Sequence, residues 1–343
     1  MGGPPAAVAA VRTAVRRAVE LHRDVDLVVA CSGGADSVAL AAAVAAEVPA
    51  SSAVVVDHGL QPGSAAQARA TVELLDKIGL PGCVVTVQVE RAGGMEAGAR
   101  RARYAALRDA RPSPDALVLL GHTLDDQAET VLLGLGRGSG PRSIAGMRPL
   151  DPPWLRPLLA VRRATTRQAC AELGLPVWDD PHNTDPRFTR ARLRHEVLPL
   201  LEDVLAGGVA AALARTAAQL REDSDALDAI AAAAYAGVIA SAGTPPSSDQ
   251  PPSSTRRDLH VGAGLPVEAL VELPAAVRRR VLRSWLADSG VRELSDAQLR
   301  AADDLVGRWR GQGGPALPGG LELVREHGRL LLRPARPGRP PTD

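Results

Sequence analysis

Two adjacent glycines, flanked by serine and aspartate, form the sharpest chemical feature of the sequence, the hexapeptide Ser32-Gly33-Gly34-Ala35-Asp36-Ser37. An apolar run precedes it and a helix-like segment follows it. Glycine lets a backbone approach an anion closely, and the N–H groups that begin a helix attract negative charge. The two serine hydroxyls can donate further hydrogen bonds to phosphate oxygens. The segment therefore predicts a phosphate-binding loop, and the simpler alternative is a strand–helix turn capped by Ser or Asp.

The carboxylate of Asp36 needs a separate explanation, because a carboxylate repels phosphate. It becomes useful if Mg²⁺ lies between the carboxylate and the phosphates. We therefore expect Asp36 to bind Mg²⁺ beside a nucleotide. A Walker A loop is excluded, since it requires Lys before Ser or Thr and the only lysine, Lys77, precedes Ile78.

A second group of acidic residues follows His122. If the chain is helical from Leu124 onward, Asp125 and Asp126 both lie on the face of Glu129, at spacings of four and three residues. Such a face is either a solvated acidic first turn, favoured by the helix dipole, or a site that holds a cation. Because the segment directly follows an apolar run, we favour the handling of a metal or of a nucleophile.

These segments are positioned by an alternation of strands and helices. Apolar runs predict strands at 26–31, 52–56, 83–89, 115–121 and 154–158, and helices are predicted at 37–46, 63–79, 95–108, 124–135 and 163–173. This order predicts an α/β fold with a doubly wound, mostly parallel sheet. Ligands of such sheets bind at the carboxyl ends of the strands, where the loops at 32–37, 57–59 and 122–126 all begin.

The composition changes after residue 198. We predict a catalytic domain at 1–198 and a smaller, mainly helical domain at 199–336 that ends in a β-hairpin turning at His327-Gly328. A stretch rich in Ser, Pro and Gly predicts a flexible linker at 241–258. Helices are predicted at 275–287 and 295–309.

The first loop resembles the PP-motif of the ATP-pyrophosphatases, which bind ATP and release pyrophosphate while adenylylating a substrate. Further segments, in the same order over residues 30–200, are similar to the tRNA(Ile)-lysidine synthetases. They are 56–60, Glu96-Ala97 with Arg100, Arg103 and Tyr104, 121–130, 137–140, 156–158, Asn183, 188–190 and Arg194-His195. Two positions depart from the family pattern, since Ala191 stands where Asn is common and His182 where Ser is usual.

The resemblance implies a PP-loop fold and a two-step reaction on RNA. A cytidine oxygen at the wobble position of tRNA(Ile) with a CAU anticodon attacks ATP, and free L-lysine then displaces AMP. Implied ATP-binding residues are Ser32, Gly33, Gly34, Ala35, Asp36, Ser37, Asp57, His58 and His122. Implied catalytic residues are Asp36, Asp126, Glu129 and Arg103, with Mg²⁺ on Asp36. Implied tRNA contacts are Arg137, Asn183, Arg190 and Arg194.

Several arginines allow a second interpretation. Arg103 could form a salt bridge on a solvated face instead of contacting ATP or the base, and Arg190 and Arg194, four residues apart on a predicted helix, could pair with Glu172 or Asp185. The cluster Arg278-Arg279-Arg280 is more typical of a solvated helix face than of an RNA contact. A formal net charge of +1 does not by itself indicate a nucleic-acid binder.

Two other functions stay open at this stage. One is another PP-loop tRNA-modifying enzyme, such as a 2-thiolation enzyme, although Cys31, Cys83 and Cys170 are isolated in the sequence. The other is a non-catalytic nucleotide- or RNA-binding module, against which the intact Asp36 argues. The few cysteines suit a reducing compartment, and no apolar run has the length of a membrane span. We expect a cytoplasmic protein without a membrane partner, and a homodimer is a further option.

Overall fold

A computed structural model describes residues 3–89, 95–138, 140–241 and 264–335. The chain divides into two compact units, Met1–Arg221 and Glu222–Asp343. This division comes later in the chain than the boundary predicted after residue 198. Apart from Ser241, the predicted linker at 241–258 lies outside the described residues, as does Ser139 of the segment 137–140.

The first unit contains a six-stranded sheet in the order β3-β2-β1-β4-β6-β5. Its strands are β1 (Leu27–Ala30), β2 (Ser52–Asp57), β3 (Gly82–Thr86), β4 (Leu117–Leu120), β5 (Leu150–Asp151) and β6 (Trp154–Leu155). All neighbours pair in parallel except β5, which is antiparallel to β6. The predicted mostly parallel sheet is confirmed. The sequence did not predict β5, because two residues are too few to show a periodic pattern.

Helices cover both faces of this sheet. The helices up to the second unit are α1 (Ala6–Val19), α2 (Ala35–Glu47), α3 (Ser64–Lys77), α4 (Met95–Asp109), α5 (Leu124–Arg137), α6 (Pro141–Ile144), α7 (Arg163–Glu172), α8 (Thr189–Arg192), α9 (Leu198–Val204) and α10 (Val209–Ser241), and α10 continues past the end of the first unit. Alternate residues of β1 enter different cores: Val29 packs with the layer of α1, α2 and α7, whereas Val28 packs with Leu107 of α4. Two buried faces explain why the strands read as continuous apolar runs.

The strand order brings two chemically interesting loops together. From β1 the chain crosses to β2 and β3 on one side, whereas β4 pairs with β1 on the other, so the loops after β1 and β4 flank a crevice. The approach is close, because a Cβ added to Gly121 would lie 3.0 Å from the carbonyl carbon of Asp36. Glycine at 121 therefore lets the loop after β4 reach the phosphate-binding loop.

The second unit combines helices with an antiparallel sheet in the order β7-β10-β9-β8. Its elements are β7 (Leu265–Pro266), α11 (Glu268–Val271), α12 (Ala275–Asp288), α13 (Asp296–Gly307), β8 (Ala316–Leu317), β9 (Leu321–Glu326) and β10 (Arg329–Pro334). The predicted hairpin is confirmed, with positive φ at His327 and Gly328, and it forms the central pair of the sheet.

The arginine cluster of α12 is engaged inside this unit. Arg278 Nε lies 2.6 Å from Asp303 in a buried pair, and Arg280 Nε lies 2.6 Å from Asp228. Arg279 Nη1 also lies 3.6 Å from Asp303 Oδ2, so all three arginines connect helices and a simple solvated face does not describe the cluster.

No single helix in the described residues has the length and apolar character to cross a membrane. One bent pair, Thr189–Val204 with Val209–Ala240, passes that test by length and composition alone.

Candidate active site

The predicted phosphate-binding loop joins β1 to α2, as the sequence predicts a strand before it and a helix after it. Gly33 has φ +84°, and a Cβ there would lie 2.7 Å from Thr71 Oγ1. A side chain would therefore be both strained and obstructed at this position. The backbone oxygen of Gly33 accepts a hydrogen bond from Trp178 N at 2.9 Å, so the segment after α7 also contacts the loop.

The two loop serines contact each other and the loop backbone through hydrogen bonds. Ser37 Oγ donates to Gly34 O at 2.9 Å, accepts from Ser32 N at 3.1 Å and lies 3.2 Å from Ser32 Oγ. These contacts fix the shape of the loop around the start of α2. Ala35 is the first residue of that helix and is buried.

Three carboxylates from two elements meet one arginine beside this loop. Arg163 Nη2 lies 2.6 Å from Asp126 Oδ1 and 3.2 Å from Glu129 Oε1, and Arg163 Nε lies 3.5 Å from Asp36 Oδ2. We call Asp36, Asp126 and Glu129 the acidic cluster. Arg194 Nε contacts it as well, 2.9 Å from Glu129 Oε1. The expectation that Asp126 and Glu129 share one helix face is confirmed, and the alternative of a solvated acidic turn is wrong, because both residues are buried.

Burial and partners move the pKa values of two of these carboxylates in opposite directions. Burial raises the pKa of Asp36, an effect that Asp126 reinforces and that a hydrogen bond from Thr166 opposes. For Asp126 burial also acts upward, but Arg163 and the hydrogen bonds from Thr123 outweigh it and lower the pKa. Thr123 caps α5 by accepting a hydrogen bond from Asp126 N at Oγ1, and in return it donates to Asp126 Oδ2 from both N and Oγ1, at 2.8 Å each. Asp36 is thus the better proton acceptor of the pair.

The first turn of α7 holds the cluster in place. The backbone N of Arg163 donates to Asp125 Oδ2 at 2.8 Å, and Thr166 Oγ1 contacts Asp36 Oδ1. Arg163 was not predicted as a site residue. One signal was available, since Arg162-Arg163 begins a helix, where the dipole disfavours cations.

Four buried nitrogen atoms have no hydrogen-bond partner among the residues that the structure describes: His58 Nδ1, Arg103 Nε, His122 Nδ1 and Arg156 Nε. We call these residues the cationic pocket. They follow β2, β4 and β6 or lie on α4, and the charges of the arginines act on the pKa values of the histidines. An unpaired buried donor costs about 1–3 kcal/mol. The pocket therefore has the chemistry to receive a ligand rich in acceptor oxygens.

The two histidines of the pocket are held neutral. Burial lowers the pKa of His122 to about 3, with Arg156 and Arg103 adding to the effect and Asp126 opposing it. Burial also lowers the pKa of His58, with a further contribution from Arg103. Arg103 stacks over the Tyr104 ring at 5.5 Å. Its buried Nε does not fit the predicted alternative of a salt bridge on a solvated face.

The remaining predicted residues are spread around these clusters. Asp57 Oδ1 accepts from Gly59 N at 2.9 Å and so shapes the turn after β2. Arg137 lies exposed at the end of α5, and Asn183 O lies 3.1 Å from His195 Nε2. Arg190, on α8, acts electrostatically on Arg103.

The predicted partners of Arg194 need correction. Arg194 pairs with Glu129 and Asp126 instead of Glu172 or Asp185. Asp185 instead pairs with Arg187. A π-helical stretch, Leu193–Val197, follows α8, so Arg190 and Arg194 do not lie on one regular α-helix.

Comparison with known proteins identifies the family. Residues 9–201 match the family model of the PP-loop domain, and residues 265–331 match that of the TilS substrate binding domain. The chain is 53% identical over 335 residues to the tRNA(Ile)-lysidine synthase of Rhodococcus erythropolis, covering 95% of each. It is 55% identical to that of Mycobacterium bovis, covering 95% of this chain and 97% of the relative. The chain belongs to the tRNA(Ile)-lysidine synthase family.

The resemblance stated from the sequence is thereby confirmed, as is the prediction of an ATP-using PP-loop enzyme. A solved structure, the U34-tRNA thiolase NcsA from Methanococcus maripaludis, matches with a TM-score of 0.51 at 18% identity over 63% of this chain and 80% of that one. That likeness shows the fold alone. The lysidine synthase relatives favour ligation over thiolation.

Proposed function

We propose that this lysidine synthase family member attaches free L-lysine to C2 of the wobble cytidine in the CAU anticodon of tRNA(Ile), in two steps and in the cytoplasm. The observation that carries the proposal is the placement of two clusters of opposite charge beside one PP-loop. The acidic cluster suits the amine of lysine, and the cationic pocket suits acceptor oxygens of the nucleotide and base.

In the first step the cytidine O2 attacks the α-phosphate of ATP, an O–P bond forms, and pyrophosphate leaves. The backbone amides at the start of α2, with Ser32 and Ser37, bind the phosphates. Arg103 and the neutral His122 donate to the oxygens that gain charge as the base is adenylylated. The donors are fixed beforehand by burial, so little reorganisation is needed when charge develops.

In the second step the amine attacks C2, and AMP leaves with the former O2. The amine must be neutral to attack, so the acidic cluster binds its ammonium form through Asp126 and Glu129, and a carboxylate of the cluster accepts the proton. Adenylylation comes first because an unmodified carbonyl oxygen is a poor leaving group. Arg190, Arg137 and Asn183 contact the anticodon loop in this proposal.

Asp36 also fits a place in Mg²⁺ binding. In the described residues no group of three His, Cys, Asp or Glu side chains is arranged as a metal site. Mg²⁺ commonly takes one or two carboxylates with phosphate oxygens and water, and Asp36 at the loop offers such an oxygen. The ion, when bound, would offset the negative charge of the phosphates.

The test is incubation of the chain with ATP, Mg²⁺, labelled lysine and transcripts of tRNA(Ile), followed by nucleoside analysis. We expect label in a modified cytidine of the CAU transcript, and none when the wobble base is uridine. Asp36→Ala should abolish pyrophosphate release. Pyrophosphate release without lysine incorporation would instead indicate another PP-loop modification of the tRNA.

A further inference from the structure

The oxygens of Asp126 and Glu129 are already engaged by the protein itself. Both oxygens of Glu129 accept from Arg194, and Oε1 accepts from Arg163 as well. Asp126 Oδ2 accepts from Thr123, and Oδ1 accepts from Arg163. A substrate cation can therefore reach these two carboxylates only by displacing an arginine.

Arg163 Nη2 stands where a substrate ammonium would stand. It lies 2.6 Å from Asp126 Oδ1 and 3.2 Å from Glu129 Oε1. Charge-assisted N–H···O hydrogen bonds to carboxylates are about 2.7–2.9 Å long. An ammonium that bridged the same two oxygens at such distances would overlap Nη2, so the two cations exclude one another.

Of the two arginines, Arg163 is the one whose side chain we expect to leave the acidic cluster. Its backbone is fixed, because N donates to Asp125 Oδ2 and O accepts from Thr166 Oγ1 at 2.7 Å, so only side-chain rotation is required. Its third contact, to Asp36, is long at 3.5 Å. Arg194 contacts both oxygens of Glu129 and can remain as the counter-ion.

The charges agree with such an exchange. Three carboxylates face two guanidinium groups, which leaves one net negative charge. Replacing the guanidinium of Arg163 by an ammonium preserves that balance inside the buried cluster, where an uncompensated charge is costly.

Building on the proposed function, we propose that Arg163 is a placeholder for the side-chain ammonium of the substrate lysine. Its guanidinium occupies the position between Asp126 and Glu129 before binding, and it rotates away as lysine enters. Arg163 is a positioning residue in this account. It also contributes to substrate selection, since a cation must make contacts beyond those of its charge to displace the guanidinium. If Arg163 occupies the site in about nine of ten molecules, the apparent Kd for lysine is about tenfold above its intrinsic value.

The test measures lysine binding to the full chain by calorimetry, with a non-hydrolysable ATP analogue present. Arg163→Met removes the charge and keeps most of the length, and we expect it to lower the Kd for L-lysine by up to about tenfold. The matched control is Arg162→Met, whose guanidinium pairs with Asp125 at 3.1 Å outside the acidic cluster and is 48% exposed; its Kd should stay near that of the wild type. Neither variant should lower the Kd for L-norleucine, which lacks the side-chain ammonium. A raised lysine Kd in Arg163→Met would overturn the placeholder.

A structure of the wild-type chain with lysine and the ATP analogue tests the same exchange without any variant. We expect the lysine ammonium between Asp126 and Glu129, and Arg163 Nη2 beyond hydrogen-bond distance of Asp126. Bound lysine together with a retained contact between Arg163 and Asp126 would overturn the placeholder alone. A complete lack of lysine binding to wild type and variants, with the ATP analogue bound, would overturn the proposed function as well.

Discussion

The substitution Glu129→Gln separates the two proposed chemical steps. Glu129 is fully buried and accepts hydrogen bonds from both Arg163 and Arg194. Glutamine keeps the size and one acceptor oxygen but loses the charge. The acidic cluster then carries no net negative charge, so it no longer attracts an ammonium, while the PP-loop and the cationic pocket are unchanged.

The stability cost follows from the same contacts. Removing one partner of a buried ion pair costs about 3–5 kcal/mol, and the remaining oxygen of glutamine can still accept from one guanidinium, so we expect about 2–3 kcal/mol. For a unit of this size each kcal/mol lowers Tm by about 2–4 °C, which gives a decrease of roughly 4–12 °C. The matched control is Glu196→Gln, because Glu196 also pairs with an arginine, Arg192, at 2.9 Å but is exposed. Its Tm should match that of the wild type.

The assay follows the two steps separately. Pyrophosphate release with tRNA but without lysine reports adenylylation, and labelled lysine in tRNA reports the second step. We expect Glu129→Gln to keep adenylylation within about tenfold of wild type and to lower lysine incorporation by about 10²-fold or more. An equal loss in both steps would refute the assignment of the acidic cluster to the amine, and an unchanged Tm would refute the energetic reasoning.

Three further predictions concern the loop and the cationic pocket. Gly33→Ala should raise the Kd for ATP, measured by calorimetry, at least about tenfold, because the added Cβ meets Thr71. The control Gly79→Ala changes a glycine that is equally left-handed, at φ +81°, but has open space around it, so it should lose about 1–2 kcal/mol of stability and leave ATP binding intact. Equal ATP affinity in both variants would contradict the loop geometry. Arg103→Met should lower the adenylylation rate by about 10²–10³-fold. Its Tm should change little, because Arg103 Nε has no hydrogen-bond partner in the part of the protein that the structure describes, and so none that the substitution would remove. A large Tm decrease with normal turnover would show a purely structural role. His122 has a folded pKa of about 3, below its unfolded value, so between about pH 6.5 and 3 it binds a proton only on unfolding. It should therefore reduce the unfolding free energy by about 1.4 kcal/mol for each pH unit below 6.5. If denaturant titrations of His122→Asn show the same slope of unfolding free energy against pH as the wild type, His122 is not buried as a neutral group.

The parts of the site that the sequence predicts are those formed by local segments. The loop at 32–37 lies between an apolar run and a helix, and both Gly33 and the start of α2 are found as expected. Asp126 and Glu129 share a helix face because their spacing alone fixes it. The loops after β1 and β4 meet because parallel strands end at one edge of the sheet.

The parts that the sequence did not reveal depend on long-range packing. Arg163 meets Asp126 across 37 residues, and Thr166 meets Asp36 across 130. No local pattern encodes such a pairing, because the sequence around an arginine does not show whether its side chain contacts water, RNA or a carboxylate. Arg194 shows the consequence, since its side chain pairs with Glu129 and not with either carboxylate that its local sequence suggested.

The irregular helix around Arg194 limited prediction in a second way. Its π-helical hydrogen bonding over Leu193–Val197 departs from the regular helix that the sequence predicted for Arg190 and Arg194. The two-residue strands β5 and β8 were also missed, since their pairing is set by neighbouring strands and not by their own composition.

The central claim is that the chain adenylylates tRNA before lysine enters. The most direct measurement uses ATP labelled at the α-phosphate, in a single turnover with tRNA(Ile) bearing the CAU anticodon and without lysine. We predict that label moves to the tRNA and that added lysine releases it as AMP. Label that never appears on the tRNA, or label that lysine leaves in place, would contradict the account.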